Sequence, residues 1–537
     1  MAERERILKF VKRYRIVYTV LVGVVELIIY NLITPKTPDN YAMLKNLDNT
    51  LSGILRVVFL AFWIIVLIFN FSSGFYENKC GRKSLLQDIL HFQKSPFYLF
   101  FYFINADKHK LKVSRYPKTS WKNVKGLIFG YSEQGNLVYE PSRTEANLAI
   151  WGSPGSMKTV SFVKPNARKF GGSVLTVDIK GDIYAYNRNY RKIVRFAPDI
   201  PNATKISAHY NPFVGFKRLS STELKLRVTN MAEILIPNDS EKEPYFSTTA
   251  RKLFSGILLF LLEQCPDLTF PEFLHAVLHN QKPASCRMDI FPSNVFEWIE
   301  CVAASPYPAA VEQVTAMLGN NEKNISGVAD RLNTALVPFS NEVLDTLLTD
   351  NGNCISAKTL YSGSDVYLQI SQNNLSIYAP LFTLIMSGFM TEFANRPDSA
   401  YSGRKKRPIL TILDEFPQLN FPYNTINQFL STLRSKSVVI MLVCQSVSQL
   451  AKKYDNFGYQ ALLGNCTYQV CCKSNDGLTQ DYLKKIIGNK KTLKQSYSAV
   501  EDEEPVYQNS DYGALTDKAI VYFNGEHTEL IKIKSYE

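Results

Sequence analysis

The chain has 537 residues, 46% of them apolar, so it exceeds one ordinary domain and can bury large cores. Its 61 Lys and Arg against 48 Asp and Glu give a net charge of +13, which favours anionic partners such as nucleic acid or an acidic membrane surface. Nine cysteines without a C-x-x-C pair exclude a zinc-ribbon or disulfide framework, and reduced thiols are expected.

Two apolar segments near the start of the chain have the length of membrane-spanning helices. They cover residues 16–34 and 51–71, and each is close to the ~20 residues that cross a bilayer. Six Lys and Arg residues precede the first segment and three closely follow the second, whereas the loop between them has only Lys36 and Lys45. The positive-inside rule then places both termini in the cytoplasm. We therefore predict an N-terminal two-helix transmembrane hairpin that forms a membrane anchor over residues 1–75.

From about residue 76 the sequence has the character of a soluble α/β protein. Five apolar runs rich in Val, Ile and Leu show little alternation, as expected of parallel strands that are buried on both faces. Helical patterns separate these runs, which favours a doubly wound α/β sheet. The five runs are NLAIWG, SVLTVDIKG, ILTILDEF, SVVIMLVCQS and CTYQVCCKS.

A long interval separates the strand that ends at Asp178 from the strand that ends at Asp414, and much of it has helical periodicity. We predict an all-α insertion domain at residues 219–350. The α/β domain then comprises residues 76–218 with 351–490, and residues 491–537 form a C-terminal extension. Within that extension the acidic run at residues 501–504 is predicted to be a solvated loop.

The motif GSPGSMKT follows the first strand and differs in one position from the phosphate-binding pattern G-x-x-x-x-G-K-[ST], because Met157 replaces the second glycine. A plain Gly/Pro turn is the alternative. A strand before the loop and a helix after it would aim backbone N–H groups and the helix dipole at a phosphate. Lys158 would then reach the β- and γ-phosphates, and Thr159 would ligate Mg²⁺. The predicted nucleotide-binding residues are Gly152, Ser153, Pro154, Gly155, Ser156, Met157, Lys158 and Thr159.

Two later strands end in polar residues that would complete a site for ATP and Mg²⁺. ILDEF ends a strand with Asp414, which would hold the Mg²⁺ shell, and Glu415, which would orient and deprotonate the attacking water. The next strand delivers Gln445, which would sense the γ-phosphate. An acid pair after an apolar strand is common by itself. The loop, the acid pair and Gln445, each after a strand and in this order, together indicate a nucleotide site.

These motifs, behind two N-terminal spans, resemble the type IV secretion coupling proteins, the TraG- and TraD-like ATPases of conjugative DNA transfer. The similarity covers about residues 120–490 and includes VDIKGDIY at 177–184, YNPF at 210–213, CQSVSQL at 444–450 and NCTYQVCCKSND at 465–476. The resemblance implies a RecA-like P-loop NTPase domain that carries the all-α domain and forms a homo-hexamer around a central channel. It also implies an ATPase of the bacterial inner membrane that couples single-stranded DNA, with its attached relaxase, to the type IV secretion channel proteins.

The resemblance implies one further catalytic residue and leaves alternatives open. In such rings an arginine often completes the neighbour's site, and Arg434 in TLRSKS occupies the expected region, although a plain surface arginine is the alternative. Met157 is a departure from the family and keeps open a non-hydrolysing or protein-only substrate receptor. An FtsK-like DNA translocase is a third hypothesis. It is weakened because this chain has two predicted membrane spans, whereas such translocases have about four. The basic runs at residues 403–408 and 489–494 are candidate DNA contacts or solvated loops.

Overall fold

The structure, a computed structural model, describes residues 118–119, 126–140, 146–237, 244–398, 406–494, 500–523 and 525–534. The predicted membrane anchor and both predicted spans lie outside these residues. Within them, one helical stretch, Gln372–Ala394, passes for a membrane span by length and composition. Most of that stretch is buried inside the protein, as is typical of a core helix.

The strands of the described residues fall into one large sheet and one separate hairpin. In chain order they are β1 (Lys118–Thr119), β2 (Leu127–Tyr131), β3 (Leu137–Glu140), β4 (Asn147–Trp151), β5 (Ser173–Ile179), β6 (Ile193–Phe196), β7 (Asp365–Ile370), β8 (Ile409–Leu413), β9 (Val438–Cys444), β10 (Cys466–Cys471), β11 (Asn489–Lys494), β12 (Val500–Pro505), β13 (Lys518–Phe523) and β14 (Glu526–Ile531).

The large sheet is parallel over most of its width. Its strand order is β1-β3-β2-β14-β13-β10-β4-β9-β8-β5-β7-β6. The strands from β10 to β6 run parallel to their neighbours, and the remaining strands extend the sheet beyond β10 with antiparallel pairing. The five strands predicted from apolar runs are β4, β5, β8, β9 and β10. They are confirmed, and they are contiguous in the parallel part of the sheet.

Both faces of the parallel strands are covered, which explains their unbroken apolar sequences. Along β4, Leu148 and Ile150 pack into one hydrophobic core, whereas Ala149 and Trp151 pack into the other. Because successive side chains of a strand point to opposite faces, both sets of side chains in a strand of this kind are buried, and most of them are apolar. All residues of β4, β5, β8 and β9 are buried accordingly.

The helices cover these two faces. In chain order they are α1 (Lys164–Lys169), α2 (Asp182–Asn187), α3 (Ala203–Ile206), α4 (Ser221–Leu235), α5 (Pro244–Gln264), α6 (Phe270–His279), α7 (Val295–Ala303), α8 (Pro308–Val314), α9 (Glu322–Leu336), α10 (Glu342–Leu347), α11 (Ala357–Tyr361), α12 (Leu375–Ala394), α13 (Tyr423–Thr432), α14 (Val447–Gly464), α15 (Gly477–Ile487) and α16 (Asn509–Ala514).

Between β6 and β7 the described residues form helices and no strand element. Ser220 precedes α4 as its N-cap: its hydroxyl accepts from the amide of Glu223, while the carboxylate of Glu223 accepts from the amide of Ser220. The long helix α5 buries Phe254 and Leu258 in the same hydrophobic core that covers one face of the sheet. Because this core is continuous, the boundaries of the all-α domain stay a prediction.

The end of the chain is part of the sheet. The strands β13 and β14 form an antiparallel pair that continues from β10. The prediction of a solvated loop at residues 501–504 is wrong, since these residues lie in β12, paired with β11. The register places Glu504 opposite Lys490, and opposite charges at facing positions favour such a pair. A reading of the acidic run alone could not reveal its basic partner strand.

Candidate nucleotide site

The loop Gly152–Thr159 leaves β4 at the carboxyl end of the sheet and is held by both neighbouring strands. The amide of Gly152 donates to the carbonyl of Cys444 at 3.2 Å, and the amide of Ser153 donates to the carbonyl of Lys473 at 2.9 Å. A Cβ atom on Gly152 would lie 2.3 Å from Ser156 Oγ. Any other residue at the first position of the loop would have to displace the Ser156 hydroxyl, which favours glycine there.

Two loop residues have left-handed backbone angles. Gly155 has φ of 76° and Met157 has φ of 66°. At the position where the phosphate-binding pattern has its second glycine, the backbone is therefore left-handed although this chain has a methionine. For a residue with a Cβ this conformation costs roughly 1–2 kcal/mol. The loop of this chain thus stores strain where a glycine would store none.

The helix after the loop begins with a π-helical turn over Thr159–Val163, which continues into α1. The amide of Ser161 donates to the carbonyl of Met157 at 2.8 Å, so the helix starts directly from the strained residue. The ammonium group of Lys158 donates to the carbonyl of Gly152 across the loop. The side chain of Lys158 therefore lies over the centre of the loop.

The acid pair follows β8 at the same edge of the sheet. The pKa of Asp414 is raised to about 7, chiefly by burial and then by the charge of Glu415, against the opposing effects of the Glu415 amide and the charge of Lys158. The amide of Glu415 donates to Asp414 Oδ1 at 3.1 Å. Glu415 itself has φ of 48° in the left-handed region. This turn directs the two consecutive carboxylates into different surroundings, one buried and one at the mouth of the site.

Gln445 lies between the loop and the acid pair because β9 is inserted between β4 and β8. Its Nε2 atom lies 3.0 Å and 3.1 Å from the two carboxylate oxygens of Glu415. A second amide, Gln418 Nε2, lies 3.3 Å from Glu415 Oε2 and is exposed. The structure therefore brings Lys158, Asp414, Glu415 and Gln445 to one edge of the sheet.

The loop offers a buried polar atom to a ligand. Ser156 is 4% exposed, and its hydroxyl has no hydrogen-bond partner among the described residues. A buried hydroxyl without a partner is costly unless a ligand satisfies it. No group of three His, Cys, Asp or Glu side chains suited to a metal ion occurs within the described part of the chain. A metal here would be held by Thr159, Asp414, water and the ligand's own oxygens, as Mg²⁺ commonly is.

Arg434 lies away from these residues. It belongs to the short 3-10 turn Leu433–Lys436, which directly precedes β9 at the amino end of the sheet, whereas Gln445 follows β9 at the carboxyl end. Seven strand residues separate the two ends by roughly 20 Å. The structure therefore does not bring Arg434 to the nucleotide loop of its own chain.

Two lysines that contact the segments around the site, Lys453 partly buried and Lys532 buried, were missed from the sequence. Lys453 in α14 donates to the carbonyls of Pro417 and Leu419, just after the acid pair, and burial lowers its pKa to about 8. Lys532 donates to the carbonyls of Cys472 at 2.8 Å, Thr516 at 2.9 Å and Leu515 at 3.2 Å. The one sequence signal is that Lys532 interrupts an apolar pattern, LIKI, near the end of the chain.

Comparison with protein families gives a match over residues 107–519 to the family described as Type IV secretory system Conjugative DNA transfer. This match covers more than three quarters of the sequence. The chain belongs to this family. Its expected resemblance to type IV secretion coupling proteins is thereby confirmed.

Among curated proteins, the chain is similar to Protein VirD4 of Agrobacterium fabrum, with 24% identity over 431 residues, 78% of this chain and 61% of the relative. It is also similar to the conjugal transfer protein TraG of Escherichia coli, with 22% identity over 72% of this chain and 61% of the relative. The chain thus spans about three fifths of the length of these curated relatives.

Among solved structures, the fold is similar to that of the bacterial conjugative coupling protein TrwB, with a TM-score of 0.58 and 15% identity. The match covers 79% of this chain and 91% of the TrwB chain. A TrwB structure with ADP and Mg²⁺ matches with a TM-score of 0.56 and 15% identity, over 75% of this chain and 88% of the other. At such identity the likeness shows a shared α/β fold with a mostly parallel sheet.

Proposed function

We propose that the chain is a membrane-anchored ATPase that delivers single-stranded DNA with its attached relaxase to a type IV secretion channel during conjugation. The observation that carries the enzymatic part is the contact between Gln445 and Glu415 beside the loop of Lys158. In this proposal Lys158 binds the γ-phosphate and Glu415 activates the attacking water. Gln445 contacts Glu415 beside the loop of Lys158 and thereby links the two. Family membership supports the conjugative role.

Each residue of the site has a defined task in this proposal. Lys158 releases the carbonyl of Gly152 and pairs with the β- and γ-phosphates, while the hydroxyl of Ser156 donates to a phosphate oxygen. Glu415 accepts a proton from the attacking water as general base. Gln445 holds the carboxylate of Glu415 and senses the presence of the γ-phosphate.

The geometry fits ATP as substrate with Mg²⁺ as its metal ion. Structures of TrwB have been solved with ADP and Mg²⁺ and with a non-hydrolysable ATP analogue. Mg²⁺ would neutralise charge that develops on the phosphates. In this chain Thr159 and Asp414 would hold it, and burial of Asp414 keeps its carboxylate sparingly hydrated until a cation arrives.

The proposed assembly is a homo-hexamer in which Arg434 acts on the site of the neighbouring copy. Support comes from the position of Arg434 at the sheet edge opposite to its own nucleotide loop, since a residue that acts in trans need not be close to its own site. In the proposed topology, spans at residues 16–34 and 51–71 hold the assembly in the inner membrane with both termini in the cytoplasm.

A second function, a receptor that binds substrate without hydrolysing ATP, is favoured by one observation. Met157 has φ of 66°, which strains the loop at the position that approaches the phosphates. If this strain holds the phosphates too far from the water that Glu415 activates, ATP is not hydrolysed. The protein then recruits substrate to the channel but does not move it.

The test is ATP hydrolysis by the full chain in detergent, with and without single-stranded DNA. Lys158→Ala is compared with Lys205→Ala, a control that removes an exposed lysine outside the loop. The motor is supported if DNA stimulates hydrolysis and only Lys158→Ala abolishes it. The receptor is supported if the assembled wild-type chain binds nucleotide without turnover and Met157→Gly restores turnover.

The role of Arg434 has its own test. Chains with Arg434→Ala and chains with Lys158→Ala are each expected to be inactive. Mixed assemblies should regain activity, because a neighbour with Lys158→Ala still offers Arg434 to a site with an intact loop. If mixing restores nothing while both variants form complete assemblies, Arg434 has no role in trans.

A further inference from the structure

A stack of tyrosine rings and a guanidinium group lies on the surface outside the nucleotide site. The guanidinium carbon of Arg168 lies 3.5 Å from the ring centroid of Tyr186 and 3.9 Å from that of Tyr190. Tyr190 is 68% exposed, so Arg168 covers only part of its ring. The stack thus presents an open aromatic surface to solvent.

The stack lies at the amino end of the sheet. Arg168 is in the last turn of α1, and Tyr190 lies just ahead of β6, which begins at Ile193. The nucleotide loop lies at the carboxyl end, and a strand of seven residues separates the two ends by roughly 20 Å. A ligand on this surface would leave the nucleotide loop of the same chain free.

The segment that carries Tyr190 is held rigidly. Arg191, next to it, forms an ion pair with the buried carboxylate of Asp365. The guanidinium of Arg191 also donates to the carbonyl of Gly172 at 2.7 Å and to the carbonyl of Phe170 at 2.9 Å. These contacts join the segment to the end of α1 and the start of β7. The open ring of Tyr190 is therefore preorganised, which lowers the entropy cost of stacking a ligand on it.

The surroundings of the stack are basic. Residues 164–170 and 186–192, which carry the stack and its immediate sequence neighbours, contain six Lys and Arg and no Asp or Glu. Arg188 and Lys192 flank Tyr190, are exposed, and form no ion pair with any residue that the structure describes. Two exposed cations, two positions before and two positions after an open ring, match a ligand that alternates phosphates with planar groups.

Single-stranded nucleic acid has that chemistry, since bases stack on aromatic rings while phosphates pair with flanking cations. An anionic membrane surface would use the same charges together with exposed aliphatic or bulky apolar groups that insert between lipids. Within residues 162–196, all of them described, Tyr190 is the only exposed large apolar side chain. A stacked ring of this kind favours a base over a lipid.

We propose that Tyr190, backed by Arg168 and flanked by Arg188 and Lys192, binds single-stranded nucleic acid at the amino end of the sheet. The inference rests on the proposed function for the choice of substrate and adds the surface that holds it. Because the stack lies away from the nucleotide loop, this contact does not require bound ATP.

The experiment measures the binding of a fluorescein-labelled oligothymidylate of about 20 nucleotides, longer than a typical single site, to the full chain in detergent without ATP. Tyr190→Ala is expected to weaken binding about tenfold, because one stacked base is lost. Tyr190→Phe keeps the ring and should bind like wild type. The paired change of Arg188→Glu and Lys192→Glu should weaken binding and lower its dependence on salt.

Matched controls remove similar groups elsewhere. Tyr245→Ala removes an exposed tyrosine from α5, and Lys205→Glu reverses an exposed charge in α3. Both should bind like wild type. Unchanged binding by Tyr190→Ala overturns the proposal, as does equal weakening by Tyr245→Ala.

Two further outcomes also overturn it. If Tyr190→Ala loses binding to vesicles of phosphatidylglycerol and phosphatidylcholine but not to the oligonucleotide, the surface contacts membrane. If Tyr190→Ala changes the mass of the assembly and not its affinity for the oligonucleotide, the surface joins copies of the chain.

Failure of this inference is distinguishable from failure of the proposed ATPase. Lys158→Ala should abolish ATP hydrolysis and leave oligonucleotide binding unchanged. If the wild-type chain binds the oligonucleotide through Tyr190 but does not hydrolyse ATP, the proposed binding surface is supported and the proposed ATPase is wrong. If DNA stimulates ATP hydrolysis but Tyr190→Ala binds the oligonucleotide as tightly as wild type, the proposed ATPase is supported and the proposed binding surface is wrong.

Discussion

The amide nitrogen of Gln445 lies 3.0 Å and 3.1 Å from the two carboxylate oxygens of Glu415. Gln445 follows β9 and Glu415 follows β8, so the contact bridges adjacent strands whose ends face the loop of Lys158. An amide that donates to both oxygens fixes the plane of the carboxylate. In the proposed ATPase, this fixed orientation would leave Glu415 ready to accept a proton from water bound on its open side.

Gln445→Ala is expected to lower kcat for ATP hydrolysis about 100-fold with little change in nucleotide affinity, because it removes orientation of the base and no contact of the loop. Steady-state hydrolysis and binding of a fluorescent nucleotide separate the two effects. Gln418→Ala is the matched control, since Gln418 also donates to Glu415 but is exposed. An equal loss of kcat in Gln418→Ala would contradict a special role for Gln445.

Met157 gives a second prediction because of its left-handed backbone. A β-branched residue tolerates positive φ poorly and glycine tolerates it freely, so nucleotide affinity should follow the order Met157→Gly, wild type, Met157→Ile. Met157→Ile is expected to bind about tenfold more weakly than wild type, from a cost of roughly 1–2 kcal/mol. Titration with a fluorescent nucleotide measures the order. Equal affinities for the Ile variant and wild type would show that the strain is not coupled to the ligand.

The central strands could be predicted because each one is largely buried on both faces and therefore carries a mostly apolar run with little alternation. The antiparallel strands were not predicted, since a strand such as β14 mixes His527 and Glu529 with apolar residues and has no such run. The position of the loop, the acid pair and Gln445 at one edge of the sheet could be predicted, because the carboxyl ends of parallel strands meet there.

The supports beneath the site could not be predicted, because they depend on contacts between distant parts of the chain. Lys532 contacts the carbonyl of Cys472 across 60 sequence positions, and Ser161 contacts the carbonyl of Ile533 across 372. No periodicity or local motif encodes such a pair. Likewise, the insertion of β9 between β4 and β8, which places Gln445 beside Glu415, is a property of strand order that the sequence does not display.

The contacts of Lys532 with three backbone carbonyls, here called the clamp, give a third prediction. Lys532 is 2% exposed and donates to three carbonyls, one of them on Cys472, next to the residue that holds Ser153 of the loop. Lys532→Met leaves these carbonyls unsatisfied and should lower the free energy of unfolding by about 3 kcal/mol or more. Lys534→Met is the matched control, because Lys534 is two residues away and exposed. Chemical denaturation measures the free energy of unfolding of both variants. An equal loss in Lys532→Met and Lys534→Met would show that the contacts of Lys532 do not stabilise the fold.

Ser161 tests the same connection from the side of the loop. Its hydroxyl donates to the carbonyl of Ile533 at 2.7 Å, and both groups are buried. Ser161→Ala should cost about 1 kcal/mol of stability and, because the π-helical turn loses its tether, weaken nucleotide binding as well. Ser221→Ala in the first turn of α4, where the hydroxyl is exposed, is the control. A loss of stability without any change in nucleotide affinity would limit the clamp to a structural role.

Lys453 predicts how stability depends on pH. Burial lowers its pKa from 10.5 to about 8 in the folded protein, while the unfolded chain keeps the ordinary value. Below pH 8 both states hold the proton, so this group contributes a constant penalty. Between about pH 8 and 10.5 only the unfolded state holds the proton, and stability rises with pH. The difference between 10.5 and about 8 limits this gain to about 3 kcal/mol.

The measurement compares wild type with Lys453→Met, whose thioether cannot titrate, by thermal unfolding at several values of pH. The stability of wild type relative to the variant should be flat below pH 8 and should increase from about pH 8 to 10.5. Lys452→Met, which changes the neighbouring residue of α14, controls for the loss of a positive charge near the site. A difference between wild type and Lys453→Met that stays constant over this range would mean that the ammonium is not desolvated, and that the carbonyls of Pro417 and Leu419 stabilise the charged form fully.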